Sequence, residues 1–307
     1  MDPSFPSLLP SSYSTHPLLP ILLPHFDSLT QQLSSLSTDC SLLPQIFDFY
    51  LPYCLTLSQR TKKGKPYIQG ILGVQGGGKS TFATICRILL GFLGHNTISI
   101  SIDDFYLTYE ERAILKQKKP MFKYRGPPGT HDVVLLKEVL TKIKMNNEAT
   151  YLVPRFDKSL KGGEGDRANF EEYKNIDIVL FEGWFLGYRA LDESEVENEG
   201  VEGEFAKEVN QNLKEYEGIW DLMDNLMVMI PEKMEYSKKW RAEAEEKMRR
   251  KKGSGKSEEE INAFVDYFWL SLNPRVHFPN IIKNKLANDI YYMDEHHKIT
   301  KSVHLLD

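Results

Sequence analysis

Short runs of β-branched and other apolar residues alternate, from about residue 66 onward, with longer runs whose apolar positions recur at helical spacing. The short runs predict buried strands at 67–72, 97–102, 176–181, 226–230 and 289–293. The longer runs predict helices at 79–93, 133–145, about 232–250 and about 258–270. Because strands that alternate with helices favour a parallel sheet covered on both faces, the pattern predicts an α/β fold.

The first 45 residues have a different texture and are rich in Pro, Ser and Leu. The first Lys or Arg of the chain is Arg60. Secretory signals need a positive segment and transit peptides are rich in Arg, so neither describes this stretch. Pro17, Pro20 and Pro24 argue against a helix there. We therefore expect a loosely ordered leader over 1–45, followed by one folded domain over 46–307.

Composition and charge narrow the classes of function. Apolar residues make up 41% of the 307 residues and the net charge is −5, which argues against nucleic acid or a membrane surface as the partner. No run of about 18 apolar residues occurs. The three cysteines, Cys40, Cys54 and Cys86, suit a reduced compartment better than a disulfide framework or a zinc site. We expect a cytoplasmic protein whose size also allows entry into the nucleus.

Two charged segments interrupt the predicted core. Residues 192–208 carry eight acidic side chains against Lys207 alone, which predicts a solvated or mobile loop. Residues 247–256 are largely basic and lead into a second Gly-Lys-Ser triplet at 255–257. Arg250 stands where a phosphate-binding loop needs its first glycine, so we expect a flexible basic turn, with a nuclear-import or phosphoinositide patch as the alternative.

A glycine-rich loop follows the first predicted strand directly and opens the first predicted helix. It fits G-x-x-x-x-G-K-[ST] and comprises Gly73, Val74, Gln75, Gly76, Gly77, Gly78, Lys79 and Ser80. Glycines let consecutive amides face one anion, and the helix N-terminus adds its dipole. In such loops the lysine reaches the β- and γ-phosphates and the serine ligates Mg²⁺, while Thr81 is placed to donate to the α-phosphate. The loop predicts a nucleoside triphosphate site.

Carboxylates follow two further predicted strands. Asp103 and Asp104 come after the strand at 97–102, and Glu182 comes after the strand at 176–181. In an open parallel sheet, ligands bind beyond the carboxyl ends of the strands, so these groups should meet the phosphate loop at one edge. Transfer of a phosphoryl group to an alcohol needs one carboxylate at the hydroxyl and another near the metal. We expect Asp103 to be the base and Glu182 to bind magnesium through water; the alternative is that one aspartate caps the turn.

Five further motifs follow the phosphate loop, in the order SIDDFYLT, RGPPGTHD, VPRFDKS, GEGDR and FEGWFLGY. Together with GVQGGGKS, they make residues 45–300 resemble the D-glycerate 3-kinase family of P-loop kinases. The resemblance implies a P-loop kinase domain with a parallel sheet flanked by helices and a helical lid. It also places the base at the aspartate two residues before a phenylalanine, which is Asp103, and the Glu182-Gly183 pair in place of the Walker-B aspartate.

The same resemblance implies an acceptor site between the second strand and Glu182. Its RG…HD, DKS and GDR motifs supply Arg125, His131, Asp157, Lys158 and Arg167. Cationic side chains suit a small anionic acceptor because Arg binds a carboxylate through two hydrogen bonds. The structural alternatives are that Asp132 caps the helix at 133–145, that His131 is a structural hydrogen-bonding group, and that each arginine forms an ion pair.

The helix predicted near 232–250 is where the resemblance places the lid. Arg241 would swing over the γ-phosphate and neutralise charge in the transition state. Most other charges of this helix pair at i,i+4, as Glu245 does with Arg249, which is typical of a solvated helix.

These expectations combine into an ATP-dependent small-molecule kinase. The resemblance makes D-glycerate the leading acceptor and ATP with Mg²⁺ the cofactors. One alternative is a nucleoside- or pantothenate-like kinase, in which Phe105, Tyr106 and Phe156 would stack on the acceptor. The other is an ATP-binding regulatory protein without turnover, which the joint presence of a phosphate-loop lysine and both carboxylates disfavours. The expected partner is a small molecule, rather than nucleic acid or a membrane.

Overall fold

The chain is built around a mixed sheet, seen in a computed structural model whose described residues are 15–36, 42–146, 148–196, 200–243 and 258–305. The predicted basic turn, the second Gly-Lys-Ser triplet and the first cysteine lie outside these residues. Within them, none of the helices has the length and apolar character needed to span a membrane.

Eight strands are described, and in chain order they are Tyr67–Gly73 (β1), Thr97–Ser101 (β2), Tyr151–Asp157 (β3), Asp166–Tyr173 (β4), Ile178–Gly183 (β5), Asn225–Pro231 (β6), Asp289–Met293 (β7) and Ile299–His304 (β8). Six of them form one sheet in the order β2-β5-β1-β6-β7-β8, in which every pair is parallel except β7 and β8. All five predicted strands are present, and the α/β fold is confirmed. The antiparallel edge strand β8 was not predicted.

Helices cover the sheet, and β5 and β6 are buried along their whole length as a result. In chain order the α-helices are Leu19–Leu22 (α1), Phe26–Ser35 (α2), Leu43–Gln45 (α3), Leu51–Arg60 (α4), Lys79–Phe92 (α5), Tyr109–Lys118 (α6), Val133–Met145 (α7), Gly200–Trp220 (α8), 236–243 (α9, described part), Glu258–Ser271 (α10) and Pro274–Lys283 (α11). Helix α5 packs on β1, β2 and β5 and contacts α4, while α7 and α10 pack on α8.

The end of the predicted leader is helical, so the expectation that its prolines exclude a helix is wrong for residues 19–35. Pro20 lies in the first turn of α1, and Pro24 lies in the first turn of the short 3₁₀ segment that follows. A first-turn amide has no partner within the helix, so proline loses nothing there. Leu22 and Leu29 are buried in the main hydrophobic core. The domain boundary stays a prediction.

The acidic segment at 192–208 is only partly a loop. Gly200 begins the 21-residue helix α8, so the loop prediction is wrong from that residue onward. Phe205, Val209 and Leu213 are buried at helical spacing, and an apolar stripe therefore runs beneath the acidic face. Counting the charged residues did not reveal this stripe, because a solvated helix face can carry as many charges as a loop.

The β3–β4 hairpin, which was not predicted, carries much of the acceptor-side sequence. Strand β4 is exposed along most of its length, so it lacks the alternation of apolar and polar residues that marks a half-buried strand. Antiparallel pairing from Tyr151↔Tyr173 to Asp157↔Asp166 holds it on β3 instead. This pairing brings the DKS and GDR motifs to one end of the hairpin.

A buried polar cluster connects α4 to strands β6, β7 and β8. Asp289 is fully buried and accepts hydrogen bonds from Arg60 at 2.9 Å and Asn225 at 2.7 Å, while His304 Nδ1 lies 2.7 Å from its other oxygen. Burial by itself would raise the pKa of Asp289, but these partners hold it below its usual value. The carboxylate is therefore ionised inside the protein.

Replacing Asp289 by asparagine should lower the free energy of unfolding by about 3 kcal/mol, because Arg60 keeps its charge without the carboxylate. Urea unfolding at pH 7 measures this loss. The folded-state pKa of Asp289 is lowered, so its contribution is present above the unfolded pKa and is lost as pH falls through the folded value. The variant should therefore lose less stability on acidification than the wild type.

The matched control for this prediction is Asp266→Asn. It removes an exposed ion pair with Lys238, and such pairs contribute about 1 kcal/mol or less. Equal losses of stability in the two variants would contradict the assignment of Asp289 as a buried, paired charge.

Candidate active site

The carboxyl ends of β1, β2 and β5 meet at one edge of the sheet. Strand β5 lies between the other two, and its Glu182 is in register with Ser101 at the end of β2. The phosphate loop follows β1, and a 3₁₀ turn over Ile102–Phe105 follows β2. Burial lowers the pKa of Lys79, and both Glu182 and Asp103 lie close enough to oppose that lowering. The structure therefore brings the loop lysine and the two predicted carboxylates together.

Only glycine fits the middle of the phosphate loop. Gly76 and Gly78 have φ angles of +75° and +79°, which residues with a side chain rarely adopt. A Cβ on Gly76 would lie 2.9 Å from the Cβ of Trp240 on α9. The Lys79 ammonium donates to the carbonyl of Val74 at 3.0 Å, so its side chain spans the loop. The backbone thus has the curled form that anion binding by amides requires.

Two oxygen-bearing side chains are hydrogen-bonded to each other beside the phosphate loop. The hydroxyl of Ser80 donates to a carboxylate oxygen of Glu182 at 2.7 Å, and Glu182 is only 8% exposed. Magnesium prefers oxygen ligands and keeps water and phosphate oxygens in its remaining positions. The pair fits the predicted magnesium site, and its role as a metal site stays a prediction.

The two adjacent aspartates have different partners. Asp104 accepts a backbone amide of its own turn at 3.0 Å, which completes a capping box, and it pairs with Arg155 at 2.8 Å. Asp103 instead accepts from the Lys158 ammonium at 2.6 Å and from the Tyr106 hydroxyl at 2.8 Å. Burial would raise the pKa of Asp103, but Lys158 and Tyr106 hold it well below its usual range. One aspartate is thus a cap, and the other is an ionised carboxylate near Lys79.

Replacing Lys158 by methionine should move the acidic limb of the kcat–pH profile upward by about one pH unit or more, because Asp103 loses the cation that lowers its pKa. Below the raised pKa the carboxylate binds a proton and cannot accept the hydroxyl proton. The profile is measured with saturating acceptor. Lys161→Met is the matched control, since Lys161 lies on the same segment but over the ring of Tyr109, at 5.5 Å. An unmoved acidic limb in the Lys158 variant would contradict the prediction.

Arg125 is fixed among aromatic rings on the acceptor side. It donates to the carbonyls of Gly163 and Glu164 at 3.1 and 2.7 Å. Its guanidinium lies over the rings of Tyr106 and Phe156, 5.9 and 5.5 Å from their centres, which is within the range of a cation–π contact. The Arg125 guanidinium therefore places a fixed positive charge beside Tyr106, whose hydroxyl donates to Asp103.

The other motif residues on this side have structural partners. Asp132 accepts the amide of Leu135 at 3.0 Å and caps α7, which confirms the capping alternative. Asp132 also pairs with Arg167 at 3.0 Å, and the Nε of Arg167 is buried with no hydrogen-bond partner among the described residues. Asp157 accepts from the amide and the hydroxyl of Ser159. Acceptor binding by Arg167 and Asp157 stays a prediction.

His131 lies in the interior of this cluster and is 4% exposed. Its Nδ1 is 2.9 Å from the hydroxyl of Tyr216, and its ring stacks on Tyr106 with centres 4.6 Å apart. Burial lowers the pKa of His131 to about 4, although the Asp103 carboxylate opposes that change. His131 is therefore a neutral group beside the ionised Asp103.

Helix α9 lies against the phosphate loop. The backbone nitrogen of Arg241 would be 3.1 Å from a Cβ on Gly76, and its guanidinium lies 5.1 Å from the ring centre of Phe264. The Nε2 of His297 is 2.8 Å from the carbonyl oxygen of Gly76, and its ring stacks on Trp240. The continuation of α9 lies outside the described residues, and the swing of Arg241 over the γ-phosphate stays a prediction.

Three residues that shape the site carried no signal in the sequence. Tyr216 lies 85 residues from its partner His131, and His297 lies 221 residues from the loop carbonyl that it contacts. Arg112 donates to three main-chain carbonyls and stands over Phe156 at 5.1 Å. Contacts across such separations leave no local spacing to recognise.

Known proteins similar to this chain are kinases. It is 32% identical over 225 residues to the uncharacterized kinase mug58 of Schizosaccharomyces pombe, covering 68% of this chain and 81% of that protein. It is 35% identical over 213 residues to the chloroplastic D-glycerate 3-kinase of Arabidopsis thaliana, covering 66% of this chain and 46% of that protein. The solved D-glycerate 3-kinase of Cryptococcus neoformans superimposes with a TM-score of 0.72 at 26% identity, covering 83% and 96% of the two chains. No family model matches the chain.

Proposed function

Because the chain belongs to the D-glycerate 3-kinase family of P-loop kinases, we propose that it transfers the γ-phosphoryl group of Mg-ATP to a hydroxyl of a small carboxylated metabolite, D-glycerate. D-glycerate is the substrate in the names of the Arabidopsis and Cryptococcus relatives. The observation that carries the proposal is the ionised Asp103, which Lys158 and Tyr106 hold at the sheet edge where the phosphate loop begins.

The nucleotide is held by the loop from Gly73 to Thr81. Its amides and Lys79 bind the phosphates, whose charge offsets the desolvation of the half-buried ammonium. Ser80 directly and Glu182 through water would hold Mg²⁺, which would neutralise charge on the phosphate oxygens. Most of the rate enhancement then comes from placing the phosphoryl group in a fixed electrostatic environment.

The acceptor is oriented by Asp103. A carboxylate with a lowered pKa is a weak base, so Asp103 accepts a hydrogen bond from the hydroxyl at first and takes its proton late in the transfer. Lys158 keeps the carboxylate ionised until then. The hydroxyl oxygen is left free to attack phosphorus while its proton faces Asp103.

The surroundings favour a small anion over a nucleoside. Phe105 is fully buried, and the other two rings considered for stacking on a base are covered by the protein's own groups. Tyr106 is stacked on His131 at 4.6 Å, and Phe156 is flanked by Arg112 and Arg125 at 5.1 and 5.5 Å. Cations close to the reacting carboxylate suit an acceptor that carries a carboxylate of its own.

The proposal is tested by ADP release from Mg-ATP with a panel of D-glycerate, L-glycerate, other small hydroxy acids, sugars, uridine and pantothenate. We expect turnover with D-glycerate that disappears in the Asp103→Asn variant. Turnover with a nucleoside or pantothenate but not with a hydroxy acid would overturn the acceptor. ATP binding without turnover on any member of the panel would contradict the proposal.

A further inference from the structure

The two ring nitrogens of His131 differ in their hydrogen bonding within the described part of the chain. Its Nδ1 faces the hydroxyl of Tyr216 at 2.9 Å. Its Nε2 is buried, and none of the described residues offers it a hydrogen-bond partner. A buried polar atom without a partner costs about 1–3 kcal/mol, so proteins rarely keep one without a reason. The ring stacks on Tyr106, whose hydroxyl donates to Asp103, and this places the unsatisfied nitrogen in the cluster that holds the predicted base.

The surroundings of Tyr216 decide which nitrogen of His131 carries the proton. The backbone amide of Gly129 donates to the phenol oxygen at 3.2 Å. Burial raises the pKa of Tyr216, so the phenol keeps its proton. Since Gly129 donates to the phenol oxygen, the buried phenol O–H needs an acceptor of its own. Of the described residues, only His131 offers it an acceptor within hydrogen-bond distance, at Nδ1.

If Nδ1 accepts, the proton of the neutral imidazole must be on Nε2. A second buried donor lies nearby, because the Nε of Arg167 also lacks a partner among the described residues. Arg167 pairs with Asp132, the residue that follows His131. It is also the cross-strand partner of Phe156, whose ring contacts Tyr106 edge-on at 5.1 Å. The neutral donor of His131 and the cationic donor of Arg167 thus both belong to the group of residues packed around Tyr106.

We propose that Tyr216 is a positioning residue that fixes His131 as the neutral Nε2–H tautomer, and that this N–H, together with the Nε–H of Arg167, binds the carboxylate of the acceptor. The carboxylate part of the proposal rests on the proposed function. A neutral donor has an advantage at this place, since a protonated imidazole would form an ion pair with Asp103 and compete with the acceptor hydroxyl. The neutral imidazole can therefore bind the acceptor carboxylate without forming an ion pair with the base, Asp103.

The tautomer can be observed without any turnover. In ¹⁵N-histidine-labelled protein, long-range ¹H–¹⁵N correlation distinguishes a protonated Nε2 from a protonated Nδ1, and the His131 signal is the one that is absent from His131→Gln. We expect the Nε2–H pattern at pH 7, with a change in the His131 ¹⁵N shifts on addition of D-glycerate. A proton on Nδ1 would overturn the assignment to Tyr216, and shifts unchanged at saturating D-glycerate would overturn the contact with the carboxylate.

The kinetic test is Tyr216→Phe, which removes the hydroxyl and keeps the ring. We expect the KM for D-glycerate to rise about tenfold, with the KM for ATP unchanged, because the imidazole is no longer held. The matched control is Tyr188→Phe. Tyr188 is as deeply buried, at 1% exposed, and stacks on another histidine, His277, at 4.4 Å. Equal KM values for D-glycerate in the two variants would overturn the proposal.

The two proposals fail in different ways. If the wild type phosphorylates no hydroxy acid, the proposed function fails, and the tautomer of His131 still tests the role of Tyr216. If D-glycerate is phosphorylated and His131 carries its proton on Nδ1, the proposed function stands and the inference about Tyr216 is overturned.

Discussion

The Asp103→Asn variant should turn over about 10³-fold more slowly than the wild type, while its affinity for ATP stays nearly unchanged. Asparagine has the shape of aspartate but cannot take the hydroxyl proton. It also leaves the Lys158 ammonium without its partner at 2.6 Å, so the acceptor hydroxyl meets a cation and an amide instead of a carboxylate. The phosphate loop keeps its own contacts, because Lys79 and Ser80 bond to other residues.

The matched control is Asp104→Asn, at the next residue. Asp104 pairs with Arg155 and caps its turn, so this variant should lose thermal stability and keep kcat within about tenfold of the wild type. Turnover is followed by ADP release and ATP affinity by calorimetry. A full rate in Asp103→Asn, or a larger loss in Asp104→Asn, would show that the wrong aspartate has been assigned.

The Lys79→Met variant should lose about 10²- to 10³-fold in kcat and should also bind ATP more weakly. Methionine fills a similar volume but cannot neutralise charge on the phosphates. This double effect distinguishes Lys79 from Asp103, whose loss should change the rate alone. The measurement is kcat together with the dissociation constant for ATP. Lys137→Met, an exposed lysine on α7, is the control and should match the wild type; an active Lys79→Met enzyme would contradict the assignment.

The alternation of strands and helices could be predicted from the sequence because it depends on residues that are neighbours in the chain. Strands β1, β2, β5, β6 and β7 are apolar runs buried in the sheet, and such runs stand out in a sequence. The exposed strand β4 and the amphipathic start of α8 did not stand out. In both, the polar residues face water, so polarity concealed a regular structure.

The acceptor side shows the limit of reasoning from motifs. The resemblance assigns Asp157 and Arg167 to the acceptor, which stays a prediction, but it does not show that Asp157 also accepts from Ser159 or that Arg167 also pairs with Asp132. Spacing in the chain cannot show which polar group is already used by a neighbour. For His131, too, the sequence does not show that its buried Nε2 lacks a hydrogen-bond partner among the described residues, because that depends on neighbours from distant parts of the chain.

The sequence alone determined the phosphate loop, the succession of strands and helices along the chain, and the carboxylates at strand ends. Each of these depends on residues within one strand–loop–helix unit. The tertiary structure decided which aspartate is the cap and which is paired with Lys158, and it brought Tyr216 to His131. Those contacts join residues 55 and 85 positions apart. Their geometry is set by how the β3–β4 hairpin and α8 pack on the rest of the fold, which no local pattern of residues encodes.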